Sequence, residues 1–229
     1  TCGLPPPNQL SCWGGMQGAG FGDPTLRLKR RFSPQLVSTG TLTFTTIGLN
    51  DDGFCGIVSG GTLYCAAYNA KGARGDGTFV LKRTLDPVVG GRLFTKVAGG
   101  SQQFCAIEVG GQVYCWGSNF LSGLGNGEAS NNPVPMPISF DPGPYTDVTL
   151  GNGTGCALRI DGAAVCWGNN ASGNLGRGYA ATIEPVPDDI PDMIFSRLLP
   201  FMFRGDCGQT ANGMIYCWGS NFQSVIGDS

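Results

Sequence analysis

Ten cysteines and no histidine bound the chemistry open to this chain of 229 residues. The cysteines form five pairs, Cys2/Cys12, Cys55/Cys65, Cys105/Cys115, Cys156/Cys166 and Cys207/Cys217, and every pair has the same spacing. Zinc sites draw on cysteines two to four apart with histidine partners; the chain offers neither, so no metal ligand set is expected. Evenly paired cysteines at constant spacing read instead as a disulfide framework formed in an oxidising compartment. Without histidine, neither a Ser-His-Asp nor a Cys-His nucleophile system can be assembled. The acidic pairs Asp51-Asp52 and Asp188-Asp189 lie in turn-like stretches, and nothing singles out two carboxylates as a glycosidase pair. A glycosidase is a distant alternative, and no catalytic residue is assigned.

The elements that position these cysteines are legible around Cys105 and Cys115. Residues 104–117 read FCAIEVGGQVYCWG, two strands around a loop at Val109-Gly110-Gly111. Gly111 is expected to supply the left-handed residue that closes a type I turn with a bulge. In that register Cys105 lies opposite Cys115, within reach of a cross-strand disulfide. The unit occurs five times, with hairpins at 2–12, 55–65, 105–115, 156–166 and 207–217. Trp13, Trp116, Trp167 and Trp218 each follow a second cysteine, and Ala66 alone breaks the series. Ten places after each second cysteine stands Gly22, Gly75, Gly125, Gly176 or Gly227, and Asn69, Asn119, Asn170 and Asn221 share the fourth place. In the first hairpin Asn8 occupies the turn position held elsewhere by glycine. Agreement at one period means an internal repeat.

The rest of each repeat completes a four-stranded unit. Phe44, Phe94 and Tyr145 precede Ile47, Val97 and Val148 by three places; residues three apart are expected on opposite faces of a strand, which then belongs between packed layers. In the fourth interval Phe195 and Leu199 are expected in these roles. Proline-spaced runs such as Pro133-Val134-Pro135-Met136-Pro137 and Pro185-Val186-Pro187 suit an outer edge strand, because proline donates nothing to a ladder. The expectation is one all-β domain over residues 1–229, a β-propeller of about five four-stranded blades, either whole or part of a larger, for example seven-bladed, propeller. No helix is expected. The basic run Arg27, Lys29, Arg30 and Arg31 reads as a solvated edge strand, with a polyanion contact or a dibasic processing site as the functional alternative.

Composition narrows the partners. With 39 glycines, 15 prolines and a net charge of −2, the chain suits short strands and tight turns and has no global attraction for nucleic acid. No apolar run is long enough for a membrane-spanning helix, so this segment is not expected to insert in a membrane. The chain begins at Thr1, which reads as a mature or excised segment. None of its glycine loops has the strand–loop–helix setting of a phosphate cradle, so no cofactor is expected.

The motifs VYCWGSN at 113–119 with GLGNG at 123–127, VCWGNNASGNLGRG at 165–178 and IYCWGSNFQSVIG at 215–227 resemble the regulator of chromosome condensation repeat. That repeat has a Trp-Gly dipeptide, an asparagine and a Gly-x-Leu-Gly-x-Gly loop. The resemblance implies a propeller, usually of seven blades. The chain departs from the family by pairing cysteines in every hairpin, as similar repeats do in secreted and cell-surface proteins, including ectodomains of plant receptor kinases of the crinkly type. The eponymous member is a nuclear nucleotide-exchange factor, a role the cysteines argue against here. A secreted bacterial β-lactamase inhibitor with related repeats shows that the scaffold serves protein binding.

The functional expectation is therefore a secreted or cell-surface, non-enzymatic module that binds a protein partner or assembles with itself through loops and edges. A carbohydrate-binding propeller is the alternative. The tryptophans are assigned to packing between blades rather than to a ligand-stacking ring. Asn152-Gly153-Thr154 and Asn170-Ala171-Ser172 are glycosylation sequons, with Asn152 the better acceptor because Asn170 holds the repeat's asparagine place. Arg74-Gly75-Asp76 and Arg204-Gly205-Asp206 match a short adhesion tripeptide; the first reads as a chance product of the repeat, whose glycine is Gly75, and the second as part of the strand approach to Cys207.

Overall fold

The computed structural model describes residues 1–6, 9–14, 31–139, 143–199 and 205–220. Gly22, Gly227, Asn8, Asn221, Arg204 and residues 27–30 lie outside them. The described residues form five antiparallel sheets in chain order, the blades of a propeller. Blade 2 comprises Phe44–Asn50, Gly53–Val58, Leu63–Ala67 and Asp86–Pro87; blade 3 comprises Phe94–Gly99, Gln103–Glu108, Val113–Gly117 and Asn132–Pro137. Blade 4 comprises Tyr145–Leu150, Thr154–Arg159, Ala163–Asn169 and Ile183–Ile194. Among the described residues, blades 1 and 5 have three strands each. Blade 1 holds a hairpin, Cys2–Gly3 and Ser11–Gly14, and an outer strand, Arg31–Leu36; blade 5 holds an inner strand, Arg197–Leu199, and a hairpin, Gly205–Gln209 and Ile215–Gly219. The one helical element among the described residues is a single 3-10 turn at Phe120–Ser122.

Each disulfide closes its own hairpin. Cys2 stands directly opposite Cys12, Cys55 opposite Cys65, Cys105 opposite Cys115, Cys156 opposite Cys166 and Cys207 opposite Cys217. All five pairs are bonded, so none of the ten sulfurs is left as a thiol. In the chain-entropy picture, closing so short a loop stabilises by about 2–3 kcal/mol. The sequence treats the five pairs alike, but their surroundings differ. Cys12, Cys65, Cys115 and Cys166 are buried against a neighbouring blade, whereas Cys217 is only partly buried. Among the described residues no following blade covers it.

The turns divide into two kinds. Where the sequence is Asp161-Gly162 or Asn212-Gly213, only the glycine has a positive φ, 88° and 87°, as a type I turn with a bulge requires. Gly110 and Gly111 both have positive φ, 113° and 94°. That puts a left-handed residue third in the turn, the signature of type II rather than the expected type I.

The inner strands depart from the expected two-sided pattern for a local reason. Each carries a β-bulge directly after its aromatic, between Phe44 and Thr46, Phe94 and Lys96, and Tyr145 and Asp147. An extra residue shifts the strand's phase by one, so the aromatic and the aliphatic three places on share a face rather than opposing each other. Phe94 and Val97 enter one core cluster and Tyr145 and Val148 another. The extra residue is a threonine whose hydroxyl donates to the neighbouring strand, Thr45 to Ile57 O, Thr95 to Ile107 O and Thr146 to Leu158 O. Ser196 does the same toward Gln209 O. In blade 5, Leu198 rather than Leu199 takes the aliphatic place and is buried.

The core is a series of inter-blade sandwiches. The disulfide face of one blade, with Ile57 and Leu63 or Ile107 and Val113, meets the aromatic face of the next. Apolar burial of this kind contributes about 25 cal/mol per Å², and each blade obtains it only from its neighbour. The backbone reinforces the contact: Phe94, Tyr145 and Phe195 donate their N–H groups to Gly61 O, Gly111 O and Gly162 O in the preceding turns.

Candidate functional site

The antiparallel order places the hairpin turns at one end of the blades. At the other end lie the short turns after the inner strands and the long loops before the outer strands. The long loops carry the repeat's asparagine and glycine, and the asparagine acts as a clasp. Asn119 Oδ1 accepts the N–H of Leu124 at 3.1 Å, while its Nδ2 donates to Glu128 O at 2.7 Å. Asn69 holds Arg74 N and the carbonyls of Thr78 and Val80 in the same way, and Asn170 holds Leu175 N and Tyr179 O. All three side chains are buried. The Asn170 Nδ2 that a glycan would occupy is committed to Tyr179 O, whereas Asn152 is exposed in the turn after an inner strand.

The repeat glycine is the seat for the next blade's tryptophan. Gly75, Gly125 and Gly176 have left-handed φ of 66°, 63° and 69°. A Cβ on them would lie 3.0 Å from Trp116, 2.8 Å from Trp167 and 3.0 Å from Trp218. Turn geometry and close approach both demand glycine at this point. Trp116 and Trp167 are fully buried, and their indole N–H groups donate to Ala73 O and Gly123 O of the preceding loop at 3.1 and 2.9 Å. Trp218 sits on its glycine, but its Nε1 has no partner among the described residues. Trp13 is partly buried beside its disulfide in blade 1.

Clasped at the base, the loops present their tips. Tyr68, Phe79, Phe120 and Tyr179 are exposed, Phe120 by 58%. The blade 3 tip is also strained. Leu121 and Ser122 have φ of 54° and 59°, where blades 2 and 4 place a glycine, Gly72 or Gly173, at the Ser122 position. Left-handed non-glycine residues cost about 1–3 kcal/mol each and persist where surrounding structure enforces them. Here Leu121 packs on Gly153 of blade 4.

The described charged side chains of both adhesion tripeptides are buried. The Arg74 guanidinium is fully buried, paired with Asp86 and, at 3.5 Å, with Asp76, and it donates to Lys82 O. In the second tripeptide Asp206 is buried. Burial pushes the Asp76 carboxyl up, but hydrogen bonds from Thr78 and from the Lys82 ammonium outweigh it and hold the group below its ordinary 3.8. Among the described residues no cluster of metal-ligating side chains occurs, and no helix is long and apolar enough to cross a membrane.

Comparison with known proteins fits this geometry. Residues 110–158 match the regulator of chromosome condensation (RCC1) repeat. Prp20p of Saccharomyces cerevisiae, a protein with described binding to Gsp1p and histones, is 18% identical with a TM-score of 0.84; the match covers 99% of this chain and 57% of Prp20p. Human WBSCR16 is 17% identical with a TM-score of 0.79, over 96% of this chain and 60% of that one. The ectodomain of the Physcomitrella patens receptor kinase CR4 is 22% identical with a TM-score of 0.61, over 95% and 49%. The chain thus spans roughly half to three-fifths of these structures. The chain has the β-propeller fold of these structures and one stretch that matches the RCC1 repeat, and at such identities the likeness is one of fold.

The Asp76 network yields a pH prediction. A carboxyl whose folded pKa is depressed adds stability above its unfolded value and loses it as pH falls through the folded value. Chemical denaturation of wild type and Asp76→Asn should therefore differ most above about pH 4 and converge below it. A gap independent of pH would contradict this role for the carboxylate.

Proposed function

We propose that this chain is a secreted or cell-surface recognition module that binds a protein partner through its loop face and performs no catalysis of its own. The observation that supports it best is the combination of exposed aromatics, Tyr68, Phe79, Phe120 and Tyr179, with loops whose backbones are clasped by buried asparagines. Aromatic anchors dominate protein interfaces, and loops ordered before binding lose less entropy on association. RCC1-like neighbours bind proteins: Prp20p has described binding to Gsp1p and histones, and yeast RCC1 has been solved with Kap60. Five disulfides suit an oxidising, non-cytosolic compartment, which is the reason for placing the partner outside the cell rather than in the nucleus. An ectodomain-library screen is the test. Phe120→Ala should keep stability within about 0.5 kcal/mol and weaken partner binding about tenfold or more. Binding indifferent to Phe79, Phe120 and Tyr68 substitutions would overturn the loop-face reading.

A second reading, self-assembly, is favoured by blade 5. Met214, Ile215 and Tyr216 are exposed, whereas Leu63, Val113 and Ala164, at the place of Ile215 in blades 2 to 4, are covered by the next blade. Gly213 likewise faces no following blade among the described residues. Sedimentation should show association that rises with concentration and is abolished by Ile215→Asp. A monomer at every concentration would exclude this reading.

A further inference from the structure

Between the outer rims of blades 3 and 4 lies a depression of about 440 Å³ lined by Ser139, Arg177, Glu184, Val186, Pro187 and Asp188. At its floor Arg177 is almost wholly buried. Its Nη2 is spent on the carbonyls of Cys166 and Asp188. The remaining donors are poorly satisfied: Nε has no partner among the described residues, and Glu184 Oε2 and Asp188 Oδ2 stand 3.7 and 3.6 Å from Nη1, beyond hydrogen-bond distance. Tyr179, half-exposed at the rim, donates its hydroxyl to Glu184 Oε1 at 3.3 Å.

The repeat supplies an internal control. Strand register matches Glu184 to Asn132 and Asp188 to Met136. The residue after the repeat glycine is Arg177 in blade 4 and Asn126 in blade 3. The residue donating to the carbonyl of the preceding blade's repeat glycine is Ser139, to Gly125 O, between blades 3 and 4, and Val89, to Gly75 O, between blades 2 and 3. The packing Val and Pro are kept, as Val134-Pro135 and Val186-Pro187. The scaffold is therefore built at the earlier interface from neutral residues, and the later one replaces four of them with an arginine, two carboxylates and a serine. Fold alone does not call for that set.

We propose that this depression binds a vicinal diol of a sugar. Two carboxylates repel an anion, and the buried guanidinium disfavours a cation. A hydroxyl satisfies both, because it accepts from the guanidinium N–H and donates to a carboxylate. Two adjacent hydroxyls above Nη1 would each bridge it to one carboxylate, Glu184 or Asp188, which stand too far for direct hydrogen bonds, with Val186 and Pro187 against the apolar face of the ring and Tyr179 at its edge. Sparse polar groups in a mainly apolar hollow are the usual make-up of a small-ligand site. The site shares only Tyr179 with the loop face, so Glu184→Gln is the variant that separates the two readings.

Saturation-transfer NMR with free glucose, galactose, mannose and N-acetylglucosamine forms one arm of the test. An array of oligosaccharides ending in the same sugars forms the other. Binding should appear in at least one arm and fall about tenfold or more in Glu184→Gln and in Tyr179→Ala, with Val109→Ala, at the opposite end of the blades, as the unaffected control. Response in the free-sugar arm assigns a monosaccharide site; response in the array alone assigns a glycan chain. Silence in both arms, or binding unchanged in both variants, overturns the proposal. Loss of partner capture in Phe120→Ala without any sugar response would leave the loop-face reading standing and sink this one.

Discussion

The structure depends on one contact, made by blades 3, 4 and 5: an indole seated on the glycine of the blade before it. A blade of this size cannot bury both of its faces alone. The disulfide face of blade 2, with Cys55 and Cys65, is covered only when blade 3 arrives with Phe94, Val97 and Trp116. The same holds one blade further on with Tyr145, Val148 and Trp167. Trp116 and Trp167 couple that apolar contact to a directed bond with the preceding loop, so the spacing and the tilt of neighbouring blades are fixed together. Repeat proteins are stabilised largely by such nearest-neighbour terms, and here the same glycine also sets the loop that carries the exposed aromatics.

Most of this was legible from period and residue type. The five hairpins, their cysteine register from Cys2–Cys12 to Cys207–Cys217 and the proline-rich outer strands follow from spacing, because strand pairing and turn chemistry are local. The bulges were not read, although Thr45, Thr95 and Thr146 repeat at the same period; a hydroxyl replacing a ladder bond leaves no break in the hydrophobic pattern. That omission inverted the facing of Ile47, Val97 and Val148, and it misassigned Leu199 for Leu198. The glycine's second duty was also hidden, since a seat for an indole some forty residues away in sequence is a tertiary fact. The Arg177 cluster was invisible for the same reason: Ser139, Arg177 and Asp188 meet only when two rims are packed side by side.

The loops join rigidity to exposure. Asn69, Asn119 and Asn170 are buried and use both ends of their amides, so the loop bases behave as part of the blades. Variation falls at the tips, at the residue after the glycine, Asp76, Asn126 or Arg177, and on the outer strands, as with Glu184 and Asp188 against Asn132 and Met136. Constant framework with variable decoration is how a recognition scaffold gains specificity without altering its fold.

The claim that tryptophan latching holds the blades together is tested most directly by hydrogen exchange of the indole N–H groups, read by NMR. Trp116 and Trp167 donate to carbonyls of the preceding blade, and Trp218 has no such partner among the described residues. The account predicts that Trp116 and Trp167 exchange about tenfold or more slowly than Trp218, near the rate set by opening of the blade pair. Equal rates for the three, or fast exchange at Trp116 in a folded chain, would contradict it.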